Sequence, residues 1–118
     1  MFNFEKLDVW QKAIVFADSI YSCTKVFPPD ERFGLTNQMR RAAVSVSSNI
    51  AEGASRWSEN DFGRFIEMGE GSVFEVVSQS FVAQRQKFLT NSAFGRLYTD
   101  AEELSRMLSG LRKSLSRK

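Results

Sequence analysis

Apolar residues recur along this chain at the alternating three- and four-residue spacing of helix faces, in four segments separated by short polar breaks. The segments cover about residues 5–26, 31–56, 58–88 and 90–115. No segment shows the two-residue alternation of a half-buried strand. Because the connections are short, we predict an all-α, up-down-up-down four-helix bundle, with residues 1–118 forming a single domain.

The fourth segment carries the most regular apolar seam, which keeps heptad spacing over three heptads. Its members are Phe94, Leu97, Ala101, Leu104, Leu108, Leu111 and Leu115. An isolated coiled coil would use such a seam too, but the three preceding helices favour a bundle. We therefore expect this face of the fourth helix to lie in the core.

The first and third segments carry more apolar surface than one core-facing stripe needs. Two stripes lie side by side on the first segment, and a second apolar face follows the third. Surplus apolar surface of this kind marks association sites. We predict an oligomer interface from Val9, Phe16, Ile20, Phe74, Val77 and Phe81. The alternative is that Phe16 and Phe81 fill a wide core.

Small residues and glycines predict close helix contacts. The second segment is rich in Ala and Ser, and its Gly53 indicates either a helix stop or a point of close approach. Three glycines of the third segment each weaken a helix by about 1 kcal/mol relative to alanine. They predict close contacts or a local break near Gly69–Gly71.

The residue types present argue against an enzyme. The chain has no histidine, which removes the usual general base and the commonest transition-metal ligand. The one cysteine, Cys23, lies on an apolar stripe, where free cysteines are most often buried. Carboxylates at helical spacing in the third segment suit solvated or ion-paired positions better than a Mg²⁺ site. We expect no catalytic residue, no metal and no cofactor.

Charge is unevenly distributed although the net charge is only +2. Residues 85–118 hold eight basic and three acidic residues, whereas residues 1–84 hold eight basic and eleven acidic ones. The last seven residues carry four basic residues and no acid, which fits either a favourable helix C-terminus or a nucleic-acid contact. Without a signal peptide or a long apolar run, we expect a cytoplasmic protein with no membrane contact.

Residues 31–53, ERFGLTNQMRRAAVSVSSNIAEG, resemble the signature of the family of the 23S rRNA intervening-sequence protein, also labelled S23 ribosomal protein. The RRA and NIAEG blocks carry the resemblance, and shorter matches in the other three segments agree in order. The resemblance implies a left-handed bundle that assembles as a ring-shaped homopentamer. It also implies kinship with the accessory variability protein of diversity-generating retroelements, with nucleic acid or another protein as partner and no enzymatic activity.

Two sets of residues are candidates for a structural or a binding role. Asn49, Glu52, Gly53 and Glu75 form a structural motif, in which we expect Asn49 to be buried and hydrogen-bonded to Glu75 or Ser72. The candidates for phosphate contacts are the two arginines of the signature, which project from a helix otherwise short of charge, and four basic residues that follow it in the chain, with ion pairing to acidic residues as the alternative. These are Arg40, Arg41, Arg56, Arg64, Arg85 and Lys87.

The resulting hypothesis is a homo-oligomer that binds the backbone of RNA or DNA with little sequence readout. The rival is a protein-interaction scaffold, whose basic residues only keep the protein soluble.

Overall fold

The computed structural model describes residues 1–116, and these residues form four α-helices and no strand. The helices are α1 (Asp8–Thr24), α2 (Leu35–Ala54), α3 (Glu59–Arg85) and α4 (Asn91–Leu115). Short 3-10 turns precede α1 (Asn3–Lys6) and α2 (Pro29–Glu31). The all-α, four-helix prediction is therefore confirmed. Arg117 and Lys118, the end of the basic tail, lie outside the described residues.

Local hydrogen bonds set where the helices begin. The Ser58 hydroxyl accepts from the Asp61 N–H at 3.0 Å, and the Thr90 hydroxyl accepts from the Ala93 N–H at 3.1 Å, as N-caps do. The first two helices begin later than predicted because the residues before them form the two 3-10 turns. Of the two alternatives for the α3 glycines, the local break is wrong, since the helix continues through Gly69 and Gly71.

Successive helices run in opposite directions. The Asn3 side-chain amide donates to the Ala54 carbonyl at 2.9 Å, which joins the start of α1 to the end of α2. At the other end the rings of Phe27 and Phe88 lie 5.7 Å apart and join the two loops 25–34 and 86–90. We term this the double-loop end. The left-handed arrangement of the bundle stays a prediction.

Each helix packs on the next, and α1 also packs on α4. The core seam of α4 is confirmed at Leu97, Ala101, Leu104 and Leu108, which are all buried. Along its long axis the bundle measures 46 Å, against 22 and 20 Å across. No helix of the described part is long and apolar enough to cross a bilayer.

The prediction that the first helix supplies an oligomer interface is wrong for three residues. Val9, Phe16 and Ile20 belong to the core of a single chain, and none is more than 6% exposed. A corner helix of a four-helix bundle packs on two neighbours, so α1 needs apolar residues on two sides. The second stripe therefore faces α2 or α4 rather than another copy.

Candidate nucleic-acid and assembly surfaces

Arg40 lies against α1 and does not project freely into solvent. Its Nε donates to the Thr24 hydroxyl at 2.8 Å, and its Nη2 donates to the Tyr21 carbonyl at 3.5 Å. The guanidinium also lies over the Tyr21 ring, 4.7 Å from the centroid. These contacts join α2 to α1, so Arg40 serves the packing of the bundle.

Arg56, beyond the end of α2, is also engaged within the chain. Its Nη2 lies 3.7 Å from Oε2 of Glu52, one helical turn earlier, and its guanidinium covers the Phe65 ring at 4.5 Å. The ion pair is exposed and therefore weak. The ion-pair alternative thus holds for Arg56. Its partner is Glu52 of the predicted structural motif.

Four of the six candidate cations remain open to solvent. Arg41, Arg64, Arg85 and Lys87 are exposed and have no ion pair or hydrogen bond from their side chains to any described residue. Arg64 and Arg85 are 21 residues apart on α3, which places them about 31 Å apart along the helix. The candidates therefore form no single patch.

Arg41, Arg85 and Lys87 belong to the half of the bundle nearer the double-loop end, where sequence reasoning overlooked two more residues. Arg32 and Phe33 precede α2, and the Arg32 guanidinium lies 5.3 Å from the centre of the Phe33 ring. Phe33 is 85% exposed, so its ring is open to a ligand. The sequence did contain a signal for this exposed ring. Phe33 lies between Arg32 and Gly34 and does not belong to the apolar stripe of the second segment.

Asn49 takes part in a polar cluster between α2 and α3, although not through the bond that the sequence predicted. Its Nδ2 donates to the Ser45 carbonyl at 2.9 Å and to the Ser45 hydroxyl at 3.1 Å. The Ser45 and Ser72 hydroxyls lie 2.9 Å apart. Asn49 therefore reaches Ser72 only through Ser45, and Glu75 instead accepts from Gln79 at 3.2 Å.

Gly53 marks a close approach between helices rather than a helix stop. A Cβ at this position would lie 2.8 Å from Phe62 Cδ1 and 2.8 Å from Phe65 Cβ. Only glycine lets α2 and α3 come this close. The glycine of the NIAEG block is therefore a packing residue.

An apolar groove between α3 and α4 contains the other half of the predicted interface. Phe74, Val77 and Phe81 line it together with Tyr98, and its volume is about 590 Å³. Phe74 is 67% exposed, and Phe81 contacts the Phe94 ring edge-on at 4.8 Å. Unlike the α1 residues, these side chains are available to another molecule.

Cys23 is the one thiol of the chain. Burial raises the pKa of the Cys23 thiol above its ordinary value, and the positive charge of Arg96 partly offsets that rise. A thiol with a raised pKa is mostly protonated at neutral pH and is a poor nucleophile. No group of three or more Cys, Asp and Glu side chains within residues 1–116 is arranged to hold a metal ion.

In structure the chain is similar to a protein of unknown function from the S23 ribosomal protein family of Bacteroides thetaiotaomicron, solved by crystallography at 1.70 Å resolution. The TM-score is 0.82 at 22% identity, over 89% of this chain and 98% of the other. A similarity at this identity shows the fold alone. No curated protein matches the sequence.

The sequence itself matches the family described as 23S rRNA-intervening sequence protein over residues 5–110. This match contains the whole of the signature segment 31–53 and parts of all four helices. Since it spans most of the chain, the chain belongs to the 23S rRNA-intervening sequence protein family.

Proposed function

We propose that this protein is a non-enzymatic homo-oligomer that binds the backbone of RNA or DNA. The observation that carries the proposal is the set of open cations, Arg41, Arg64, Arg85 and Lys87, which have no acidic partner among the described residues. Free cations on a rigid helical scaffold suit phosphate contacts, since counterion release then favours binding. The name of the family, which refers to 23S rRNA, agrees with a nucleic-acid partner.

Assembly would strengthen binding that is weak in one subunit. A subunit offers only a few phosphate contacts, and a ring of five, as the resemblance implies, would multiply them. The apolar groove between α3 and α4 supports self-association, because exposed patches of large apolar side chains mark interfaces. Kinship with the retroelement accessory protein remains a resemblance.

The test is a titration with labelled RNA and DNA at several salt concentrations. We expect log K to fall linearly with log salt concentration. Neutralising Arg85 and Lys87 together, as Arg85→Gln with Lys87→Gln, should lower the slope by about 1.4 to 1.8, since each phosphate contact contributes about 0.7 to 0.9. Lys6→Gln, an exposed cation at the opposite end of the bundle, is the control and should leave the slope unchanged. No binding at about 50 mM salt, or an affinity that ignores salt, would refute the proposal.

A protein-interaction scaffold is the second candidate, and the α3–α4 groove favours it because an apolar groove can accept a helix of another protein. Affinity purification from native cells, with and without nuclease, separates the two candidates. A protein partner retained after nuclease treatment, with no nucleic acid in the untreated sample, would support the scaffold.

A further inference from the structure

A groove with both polar and apolar side chains in its walls runs between α2 and α3 from the double-loop end toward the middle of the bundle. It consists of two adjoining cavities, of about 440 and 370 Å³, that share Gln38 in their walls. Gly34 and Gln86 line the outer cavity, whereas Arg41 and Ser45 line the inner one. From Gly34 to Ser45 the groove follows α2 for about 16 Å.

Side-chain amides are the common feature of this groove. Asn37, Gln38 and Gln86 are exposed, and their side chains have no hydrogen-bond partner among residues 1–116. Each amide offers both donors and an acceptor. Asn and Gln side chains match the donor and acceptor pattern of base edges, so free amides in a groove suit contacts with bases.

A fourth amide, that of Gln79, is in the groove wall and is only 9% exposed. Its Nε2 donates to Glu75 Oε2 at 3.2 Å, whereas its Oε1 is buried with no donor in the described part of the chain. An unpaired buried acceptor is unfavourable and uncommon in folded proteins. Since this oxygen has no contact with solvent, the amides open to a ligand are those of Asn37, Gln38 and Gln86.

Three basic residues border the groove. Arg41 is part of its wall, Arg85 lies three residues after the wall residue Val82, and Lys87 lies between the wall residues Gln86 and Phe88. Two carboxylates, Glu31 and Glu75, are also in the walls, and they keep their negative charge although each accepts a hydrogen bond from a neutral donor. Three cations against two carboxylates leave a small positive balance, which favours a polyanion.

Phe33 directly precedes the wall residue Gly34 in the chain, at the double-loop end of the bundle. It is 85% exposed, although burying such a ring would normally be favourable. Exposed aromatic rings beside cations are the platforms on which unpaired bases stack. The Arg32 guanidinium, 5.3 Å from the ring centre, adds a cation beside the ring.

We propose that this groove binds a single-stranded nucleic acid. An unpaired base stacks on Phe33, base edges pair with the groove amides, and phosphates contact Arg41, Arg85 and Lys87. This inference rests on the proposed function and adds to it a location and a strand class. A duplex fits the site poorly, because its base faces are stacked on one another and its Watson–Crick edges are paired.

The experiment measures binding of fluorescent 12-nucleotide single strands of mixed sequence, made as RNA and as DNA, and of the matched duplexes. Phe33→Ala should weaken single-strand binding roughly 5- to 150-fold, as loss of one stacking contact does. Phe33→Trp should restore it. Trp57→Ala, at a fully exposed aromatic residue in the loop between α2 and α3, is the matched control and should change nothing. Gln38→Ala with Gln86→Ala should weaken single strands more than duplexes.

Each outcome decides between the two proposals. Single-strand preference that is lost in Phe33→Ala and kept in Trp57→Ala would support the groove. Salt-dependent binding that is equally tight for duplexes and single strands, or that is unchanged in Phe33→Ala, would overturn the groove proposal and leave the proposed function intact. No binding of any strand would overturn both. A polyglutamate peptide that binds as tightly as the oligonucleotides would also overturn the groove, since it offers charge without bases. The RNA and DNA arms identify which strand is preferred.

Discussion

Arg40 and Arg41 are neighbours in the chain, yet they have different surroundings. Successive side chains on a helix point about 100° apart, so Arg40 meets α1 while Arg41 faces the α2–α3 groove. Arg40 is held by the Thr24 hydroxyl and the Tyr21 ring. At the residue scale, therefore, the cations available to a ligand are those whose side chains point away from the neighbouring helices.

Glycines provide a test at the same scale. Gly53→Ala should lower the free energy of unfolding by about 1–3 kcal/mol, because the new methyl group would overpack against Phe62 and Phe65. Gly71→Ala is the matched change, since a Cβ there meets no atom within 4 Å. It should raise the free energy of unfolding by about 1 kcal/mol through helix propensity.

Urea unfolding followed by circular dichroism measures the free energy of unfolding of both variants. The comparison holds when the m-values of the variants equal that of the wild type. Equal effects of the two substitutions would contradict the assignment of Gly53 as the contact point between α2 and α3.

At the scale of elements, the end of α3 shows how a helix stop orients a cation. The Lys87 N–H donates to the Gln84 carbonyl at 3.0 Å, and the Phe88 N–H donates to the Ala83 carbonyl at 2.9 Å. This is the Schellman arrangement, whose left-handed residue is usually glycine. Here that residue is Lys87, with φ of 64°. A basic side chain is thus held at the edge of the α2–α3 groove despite an unfavourable backbone conformation.

Lys87→Gly should therefore raise the free energy of unfolding by about 0.5–1 kcal/mol, because glycine adopts the left-handed conformation without a steric cost. The same change removes a proposed phosphate contact, so nucleic-acid affinity should fall while stability rises. Thermal unfolding and a binding titration on one preparation measure both. A loss of stability would mean that Lys87 makes a compensating contact in solution.

At the scale of the whole molecule, two grooves of different character lie beside α3. The α3–α4 groove is lined mainly by apolar side chains, whereas the α2–α3 groove has amides among its wall residues and cations along its border. Since the two grooves lie on either side of α3, one subunit could contact a second copy and a nucleic acid together. A ring requires a second, different contact patch on each subunit.

Self-association is tested by sedimentation or light scattering. The wild-type protein should be heavier than the 13.4 kDa chain, and Phe74→Ser should shift it toward the monomer at equal concentration. Removing one large apolar side chain from an interface weakens it by about 1.5–3 kcal/mol. Val15→Ser, an exposed apolar residue on α1, is the control and should keep the wild-type mass. A monomeric wild-type protein would contradict assembly through the α3–α4 groove.

The sequence by itself determined the helices and the face of α4 that enters the core. The caps at Ser58 and Thr90 and the apolar seam of α4 are local features, fixed by hydrogen bonds and spacing within a few turns. These features need no knowledge of neighbouring helices, which is why the pattern predicted them.

Only the tertiary structure decided which surfaces remain free. Periodicity shows that α1 has two apolar sides, but whether the second side faces another helix or another chain depends on the number of neighbours around it. The same holds for the cations, since the partners of Arg40 belong to α1 and the groove amides come from both α2 and α3. A surface shared by two helices depends on how they pack, and the spacing within either helix does not encode it.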